Sequence, residues 1–131
     1  MISNMFILNL TPGELSLEDL RRVYREPVKI TLNAAAYDAI DGSTRVVDDV
    51  IKSGKTVYGI NTGFGKLAKK RVSLEQLEKL QENLILSHCT GTGYTLYDEI
   101  TRLIMVLKIN ALAQGFSGVR RELIDALITL L

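Results

Sequence analysis

The chain has 131 residues, of which 47% are apolar and 24% charged, so it can form a hydrophobic core and does not have the composition of a disordered protein. Its 16 lysines and arginines almost balance its 15 aspartates and glutamates, which argues against a nucleic-acid-binding surface, since such surfaces need clustered cations. The single cysteine and single histidine exclude a disulfide framework and the usual four-ligand zinc site.

Capping residues and hydrophobic periodicity predict five helices and two short strands. Ser16 with Asp19 is typical of a helix N-cap with an acidic first turn, and Ser73 with Gln76 fits a capping box. Gly42 is a possible break in the second helix, because glycine costs about 1 kcal/mol relative to alanine there. In chain order we predict a helix over 16–24, a strand over 28–32, a helix over 34–53, a strand over 55–60, and helices over 73–88, over 97–114 and from about 120.

The last two helices carry more apolar surface than a solvent-facing helix needs. Apolar residues surround nearly the whole of the fourth helix, which predicts burial among other helices. The final helix reaches Leu131 without a capping residue, although its last carbonyl groups need partners. We therefore expect the C-terminus to be a cut through a larger, truncated protein, with residues 1–131 a single but incomplete domain. Exposed apolar faces would then favour self-association, namely Ile104 with Leu107 and Leu127 with Leu131.

One segment is a candidate site. Residues 58–65, with the sequence Tyr-Gly-Ile-Asn-Thr-Gly-Phe-Gly, place a tyrosine ahead of three glycines, which suits a loop that closes over a ligand. A tyrosine hydroxyl acts as a general base only where neighbouring groups favour its ionised form, so spacing alone favours a packed tyrosine before a turn. His88 and Cys89, adjacent on a helix, point about 100° apart and cannot form a nucleophilic pair.

This loop resembles the tyrosine-loop signature of the histidine and phenylalanine ammonia-lyase family. Residues 80–88 and 108–120 are similar to two later segments of that family, in the same order, so the resemblance covers about residues 10–131. It implies a mainly α-helical fold with a few short strands. It also implies an enzyme that eliminates ammonia from an aromatic or imidazole amino acid, using a methylidene-imidazolone electrophile formed autocatalytically from an internal Ala-Ser-Gly.

The resemblance further implies roles for individual residues. Tyr58 would be the catalytic base on a loop that closes and excludes water. His88 would contact the substrate, because Ser87-His88 is similar to the pair at the selectivity position of histidine-specific members. The hinge of the loop would consist of Gly59, Gly63 and Gly65. The implied reaction converts L-histidine to trans-urocanate and ammonia in a cytoplasmic homotetramer, with no metal and with neither a nucleic-acid nor a membrane partner.

The sequence also departs from the family pattern. No Ala-Ser-Gly occurs in these 131 residues, and Phe116-Ser117-Gly118 has the wrong first residue. The resemblance therefore implies that the electrophile comes from a downstream segment and that residues 1–131 are inactive alone. Two alternatives stay open: a phenylalanine or tyrosine ammonia-lyase or an aromatic aminomutase, and a non-catalytic helical association module in which Tyr58 and His88 are simply packed.

Overall fold

The structure, a computed structural model, describes residues 5–67 and 72–131. The described elements confirm the mainly helical class predicted from the sequence. In chain order they are β1 (Phe6–Leu10), α1 (Leu17–Arg25), β2 (Val28–Leu32), α2 (Ala36–Ser53), a 3-10 turn (Gly65–Leu67), α3 (Leu74–His88), α4 (Asp98–Leu112) and α5 (Arg121–Thr129). They divide into two compact units, one formed by the chain up to Arg45 together with Thr95–Leu131, the other by Val46–Tyr94.

The first unit contains a two-stranded parallel sheet. Phe6 pairs with Val28 and Leu10 with Leu32, and in each strand the first, third and fifth residues are buried while the two between them are exposed. Helix α1 makes the crossover that a parallel pair requires. The sequence did not predict β1, because Ile7 is apolar although it is 57% exposed, so the expected alternation is interrupted.

Helices α1, α2, α4 and α5 pack around the buried faces of these strands in one hydrophobic core. The fully buried side chains on the four helices include Val23, Ile40, Val106, Ile109 and Ile124. Arg102 on α4 also closes the end of α1, since its guanidinium donates at 3.0 Å to the backbone oxygens of both Val23 and Tyr24. The last carbonyls of α1 therefore have partners that a nine-residue helix cannot supply itself.

Two further contacts join α2 to the C-terminal part of the first unit. The Tyr37 hydroxyl donates to Asp125 Oδ1 at 3.0 Å, and the Arg121 guanidinium binds both carboxylate oxygens of Asp41. At the end of α4, Gly115 lies so close to α2 that a Cβ there would be 2.6 Å from the carbonyl carbon and oxygen of Ala39. Only glycine fits this approach, and its φ of +78° is also one that glycine adopts readily.

The helix starts agree only in part with the predicted caps. At α1 the capping box forms: Asp19 N–H donates to Ser16 Oγ at 3.1 Å, and Ser16 N–H donates to the Asp19 carboxylate at 3.0 Å. At α3 the predicted capping box is wrong. Ser73 is the N-cap residue but its side chain makes no cap hydrogen bond, because the Gln76 N–H is bonded to the Ser73 backbone oxygen at 3.0 Å.

Three other predictions concerned continuity and exposure. Helix α2 runs through Gly42 without a break. Helix α4 is not buried all round, since Ile104 is 52% and Leu107 45% exposed. Leu127 and Leu131, expected to be exposed, instead pack against the core. In the ranges 5–67 and 72–131, no helix is long and apolar enough to cross a membrane.

Candidate active site

The glycine-rich segment lies in the second unit, after the end of α2 at Ser53. A strand over 55–60 was predicted, and this prediction is wrong. Residues 55–57 lead into a turn in which the N–H groups of Ile60 and Asn61 both donate to the Val57 oxygen at 3.2 Å. The backbone groups that a strand would offer to a neighbour are occupied within the segment itself, which is the physical reason that no ladder forms.

Asn61 holds this turn together. It is 3% exposed; its Nδ2 donates to the Lys55 oxygen at 2.7 Å, and its Oδ1 accepts from the Val57 N–H at 2.9 Å. Its backbone oxygen accepts from the Val72 N–H at 3.0 Å. Sequence reasoning missed this residue, although an asparagine that follows a short apolar run in a glycine-rich loop is a known turn-forming signal.

Tyr58 lies on the outer side of the same turn. Its side chain is 63% exposed, and its ring meets the Phe64 ring edge to face, with centroids 5.9 Å apart and an interplanar angle of 71°. Across residues 5–67 and 72–131, no hydrogen bond to its hydroxyl is present. The phenol ring is therefore held from one side by an aromatic contact.

The three predicted hinge glycines differ in conformation. Gly59 and Gly65 have φ values of +79° and +56°, and a Cβ at either position would meet nothing within 4 Å. Glycine is therefore favoured there by the backbone conformation and not by lack of space. Gly63 is buried, as are Asn61 and Thr62, so the segment combines three buried residues with an exposed end that carries Tyr58.

His88 is exposed at the end of α3. Its Nδ1 lies 2.7 Å from the backbone oxygen of Leu84 and 3.2 Å from Ser87 Oγ. Because a carbonyl oxygen can only accept, Nδ1 carries the proton, and the neutral ring then offers Nε2 as an acceptor. In the described part of the chain no hydrogen bond joins His88 to Tyr58.

Metal ligation has no support among the described residues. No group of three or more histidine, cysteine, aspartate or glutamate side chains there could hold a metal ion. The candidate residues that the structure describes are the exposed Tyr58 on its glycine-rich turn and the exposed His88 at the end of α3.

The glycine-rich turn with Tyr58 resembles the tyrosine loop of a class of carbon–nitrogen lyases, and comparison with known proteins agrees. The family model described as aromatic amino acid lyase matches residues 15–131, so the chain belongs to the aromatic amino acid lyase family. Histidine ammonia-lyase from Salmonella arizonae is 54% identical over 126 residues, which are 96% of this chain and 25% of that protein.

Solved structures agree with this membership. Ergothionase from Treponema denticola, an ergothioneine-degrading enzyme, matches with a TM-score of 0.83 and 29% identity, over 95% of this chain and 24% of that one. Histidine ammonia-lyase from Trypanosoma cruzi matches with a TM-score of 0.79 and 33% identity, over 95% and 24% of the two chains. The chain thus spans about a quarter of the length of the relatives it matches.

Proposed function

We propose that residues 1–131 form the N-terminal part of a histidine ammonia-lyase, which removes ammonia from L-histidine and leaves trans-urocanate. The observation that carries this proposal is the exposed Tyr58 on a turn whose later residues, 61–63, are buried. The identity of 54% to a histidine ammonia-lyase supports the choice of substrate. The small-molecule substrate is an amino acid in either the main or the alternative assignment.

Tyr58 is the proposed base that takes the proton from the β-carbon of the substrate. A general base must come within hydrogen-bonding distance of the proton it removes, and an exposed phenol on a glycine-containing loop can approach a substrate in this way. Closure of the loop over the substrate would exclude water. Gly59, Gly63 and Gly65 are the proposed hinge, and the left-handed conformations of Gly59 and Gly65 support that role.

His88 is the proposed substrate contact. Its Nε2 acceptor can take a hydrogen bond from an N–H of the substrate imidazole, while the Leu84 carbonyl fixes the tautomer through Nδ1. A phenylalanine or tyrosine side chain offers no such ring N–H. This difference favours histidine over the substrates of phenylalanine or tyrosine ammonia-lyases and of aromatic aminomutases.

The family resemblance also implies a prosthetic group and a homotetrameric assembly. Methylidene-imidazolone supplies an electrophile for the substrate, and its Ala-Ser-Gly precursor would lie downstream, since residues 1–131 contain none. Tyr58 fits a position beside such a group because its hydroxyl is exposed on the turn. We also propose a cytoplasmic homotetramer, and the exposure of Ile104 and Leu107 supports association through this part of α4.

The experiment that tests the assignment is Tyr58→Phe in the complete enzyme. Loss of a general base costs typically 10² to 10⁴ in rate, so we expect urocanate formation, followed by its absorbance, to fall by about that factor. Tyr24→Phe on α1 is the control. It removes the hydroxyl of a tyrosine that is 44% exposed in the first unit and should retain normal turnover. Equal rates for Tyr58→Phe and wild type would contradict the role of Tyr58, and cinnamate or coumarate as the preferred product would favour the alternative substrates.

A further inference from the structure

We infer that Asn61 is a positioning residue for the proposed base: its amide bonds to the backbone that leads into the turn carrying Tyr58. The inference rests on the proposed function of Tyr58, but its structural basis is independent of that function. Asn61 is one of only two buried polar residues in the described part of the chain. The mechanism proposed above does not use it.

The contacts of Asn61 enclose the Tyr58 turn. Its Oδ1 accepts from Val57 N–H at 2.9 Å, directly before the tyrosine, and its Nδ2 donates to the Lys55 oxygen at 2.7 Å. Its own N–H donates to the Val57 oxygen at 3.2 Å. Both polar groups of Val57 are therefore bonded to one residue, and the adjoining peptide that carries Tyr58 cannot rotate without breaking a part-buried hydrogen bond.

Burial makes these bonds consequential. A buried donor or acceptor that loses its partner costs more than an exposed one, because water cannot replace the partner. Asn61 is 3% exposed, so the Asn61 end of these part-buried bonds is shielded from water, whereas Tyr58 on the outer side is 63% exposed. The tyrosine ring consequently depends on Asn61 and on the Phe64 ring for its placement.

The amide is required chemically because the site needs one donor and one acceptor on a short side chain. Leucine has nearly the same shape but neither group. Ionised aspartate accepts from Val57 N–H but directs a second oxygen at the Lys55 carbonyl, whereas protonated aspartic acid has both a donor and an acceptor. The Asn61→Asp variant can thus restore the wild-type contacts only when it is protonated.

The test uses the complete enzyme with L-histidine. A base misplaced by about 1 Å can lose 10² in rate, so we expect kcat of Asn61→Leu and of Asn61→Asp at neutral pH to fall by about that factor, with a smaller change in KM. The ratio of the Asn61→Asp kcat to the wild-type kcat should rise as pH falls. Thr62→Val removes a neighbouring buried hydroxyl that donates only to Gly63 O, and it should retain most of the turnover.

A double-variant cycle separates positioning from general destabilisation. If Asn61 acts through Tyr58, then Tyr58→Phe combined with Asn61→Leu should be no slower than Tyr58→Phe alone. A double variant whose loss in kcat equals the product of the two single losses would overturn the inference. Wild-type kcat for both Asn61 variants while Tyr58→Phe is slow would also overturn it. Should Tyr58→Phe retain full rate, the proposed base is wrong, and faster amide exchange at Val57 in the Asn61 variants still tests the bonding. Should Asn61→Leu not fold, the pH dependence of Asn61→Asp decides.

Discussion

The imidazole of His88 has one nitrogen committed to its own helix and one available. This division follows from the 2.7 Å contact between Nδ1 and the Leu84 oxygen, since a backbone carbonyl accepts and never donates. A histidine at the C-terminal end of a helix commonly bonds to the last carbonyls in this way. The same contact that completes α3 leaves Nε2 as an acceptor, and in the role proposed for His88 it would take a hydrogen bond from an N–H of the substrate ring.

We expect His88→Leu to weaken the use of histidine without abolishing the chemistry. Loss of one hydrogen bond in a binding site costs about 1–3 kcal/mol, which corresponds to a fall of about 5- to 150-fold in kcat/KM for L-histidine. Steady-state kinetics with L-histidine and L-phenylalanine measures the change in preference. Ser87→Ala removes the hydroxyl that lies 3.2 Å from Nδ1 and donates to the Leu84 oxygen at 3.0 Å, but keeps the imidazole, so it serves as the control. An equal effect of both variants would contradict a direct contact by His88.

Among the candidate site residues, sequence could single out Tyr58 only because residues 58–65 resemble the tyrosine-loop signature of a known family, since the spacing of the glycines alone favours a packed tyrosine. Asn61 could not be separated from an ordinary turn residue. Its burial depends on the fold of the whole segment, including a backbone bond from Val72, and local sequence does not specify such a bond. The role of the imidazole nitrogens likewise requires the distance to Leu84, which only coordinates provide.

At the level of elements, the approach of α4 to α2 at Gly115 gives a sharp prediction. Gly115→Ala would place a Cβ 2.6 Å from the Ala39 backbone at a φ of +78°. Overpacking costs about 1–3 kcal/mol and the left-handed conformation about 1–2 kcal/mol more. We expect a correspondingly lower free energy of unfolding in denaturant titrations.

Gly13→Ala provides the matched comparison for Gly115→Ala. Gly13 lies in the same unit with a φ of +87°, and a Cβ there would make only ordinary contacts of 3.8 Å with the Gln114 side chain. The free energy of unfolding of Gly13→Ala should fall only by the cost of the left-handed conformation, about 1–2 kcal/mol. Equal losses in the two variants would show that α2 can move away from the added methyl group.

The cap of α1 predicts a dependence of stability on pH. Hydrogen bonds from the Ser16 side chain and backbone lower the pKa of Asp19 below its usual value. A carboxyl whose pKa is depressed by folding stabilises the protein above its unfolded pKa, and that contribution is lost as pH falls through the folded pKa. Ser16→Ala should cost about 1 kcal/mol near neutral pH.

Chemical denaturation of Ser16→Ala and wild type at several pH values between about 2 and 7 checks this prediction. The difference between the two proteins should shrink toward the acid end, because protonated Asp19 no longer benefits from the cap. A difference that stays constant over the whole range would show that Ser16 acts without the carboxylate. Glu18→Gln, in the same first turn but outside the cap bonds, is a suitable control.

Sequence reasoning succeeded for elements whose signals are local. The strand over 28–32 alternates strictly, and α1 begins at a serine with an acidic partner three residues later. It failed where a long-range partner decides the structure. Strand β1 forms because β2 pairs with it, and residues 55–60 do not form a strand because the Asn61 amide occupies their backbone.

For the whole molecule, we expect the contribution of the contact between α5 and α2 to thermal stability to depend on ionic strength. The Arg121 guanidinium is hydrogen-bonded to Asp41 and lies 4.7 Å from the centroid of the Tyr37 ring. The hydrogen bond from Arg121 keeps the pKa of Asp41 below its usual range. Arg121→Met should lower the thermal midpoint at low ionic strength, and the difference should narrow at high salt because exposed ion pairs are screened.

Thermal melts at about 0.02 M and 1 M sodium chloride measure this effect. Arg120→Met is the matched control, since this neighbouring arginine is exposed and forms no ion pair among residues 5–67 and 72–131. An identical shift for Arg121→Met at both salt concentrations would attribute the loss to stacking on Tyr37 and not to the charge of Asp41.

The interrupted order of the first unit affects how the chain emerges from the ribosome. Val23 and Ile40 are translated early, yet the core that covers them includes Val106, Ile109 and Ile124, which follow the whole of the second unit. Until those residues are synthesised, a nascent polypeptide ending near Tyr94 leaves apolar core residues exposed to solvent. Stalled translation in that window should recruit chaperones, whereas a stall after Leu131 should recruit fewer.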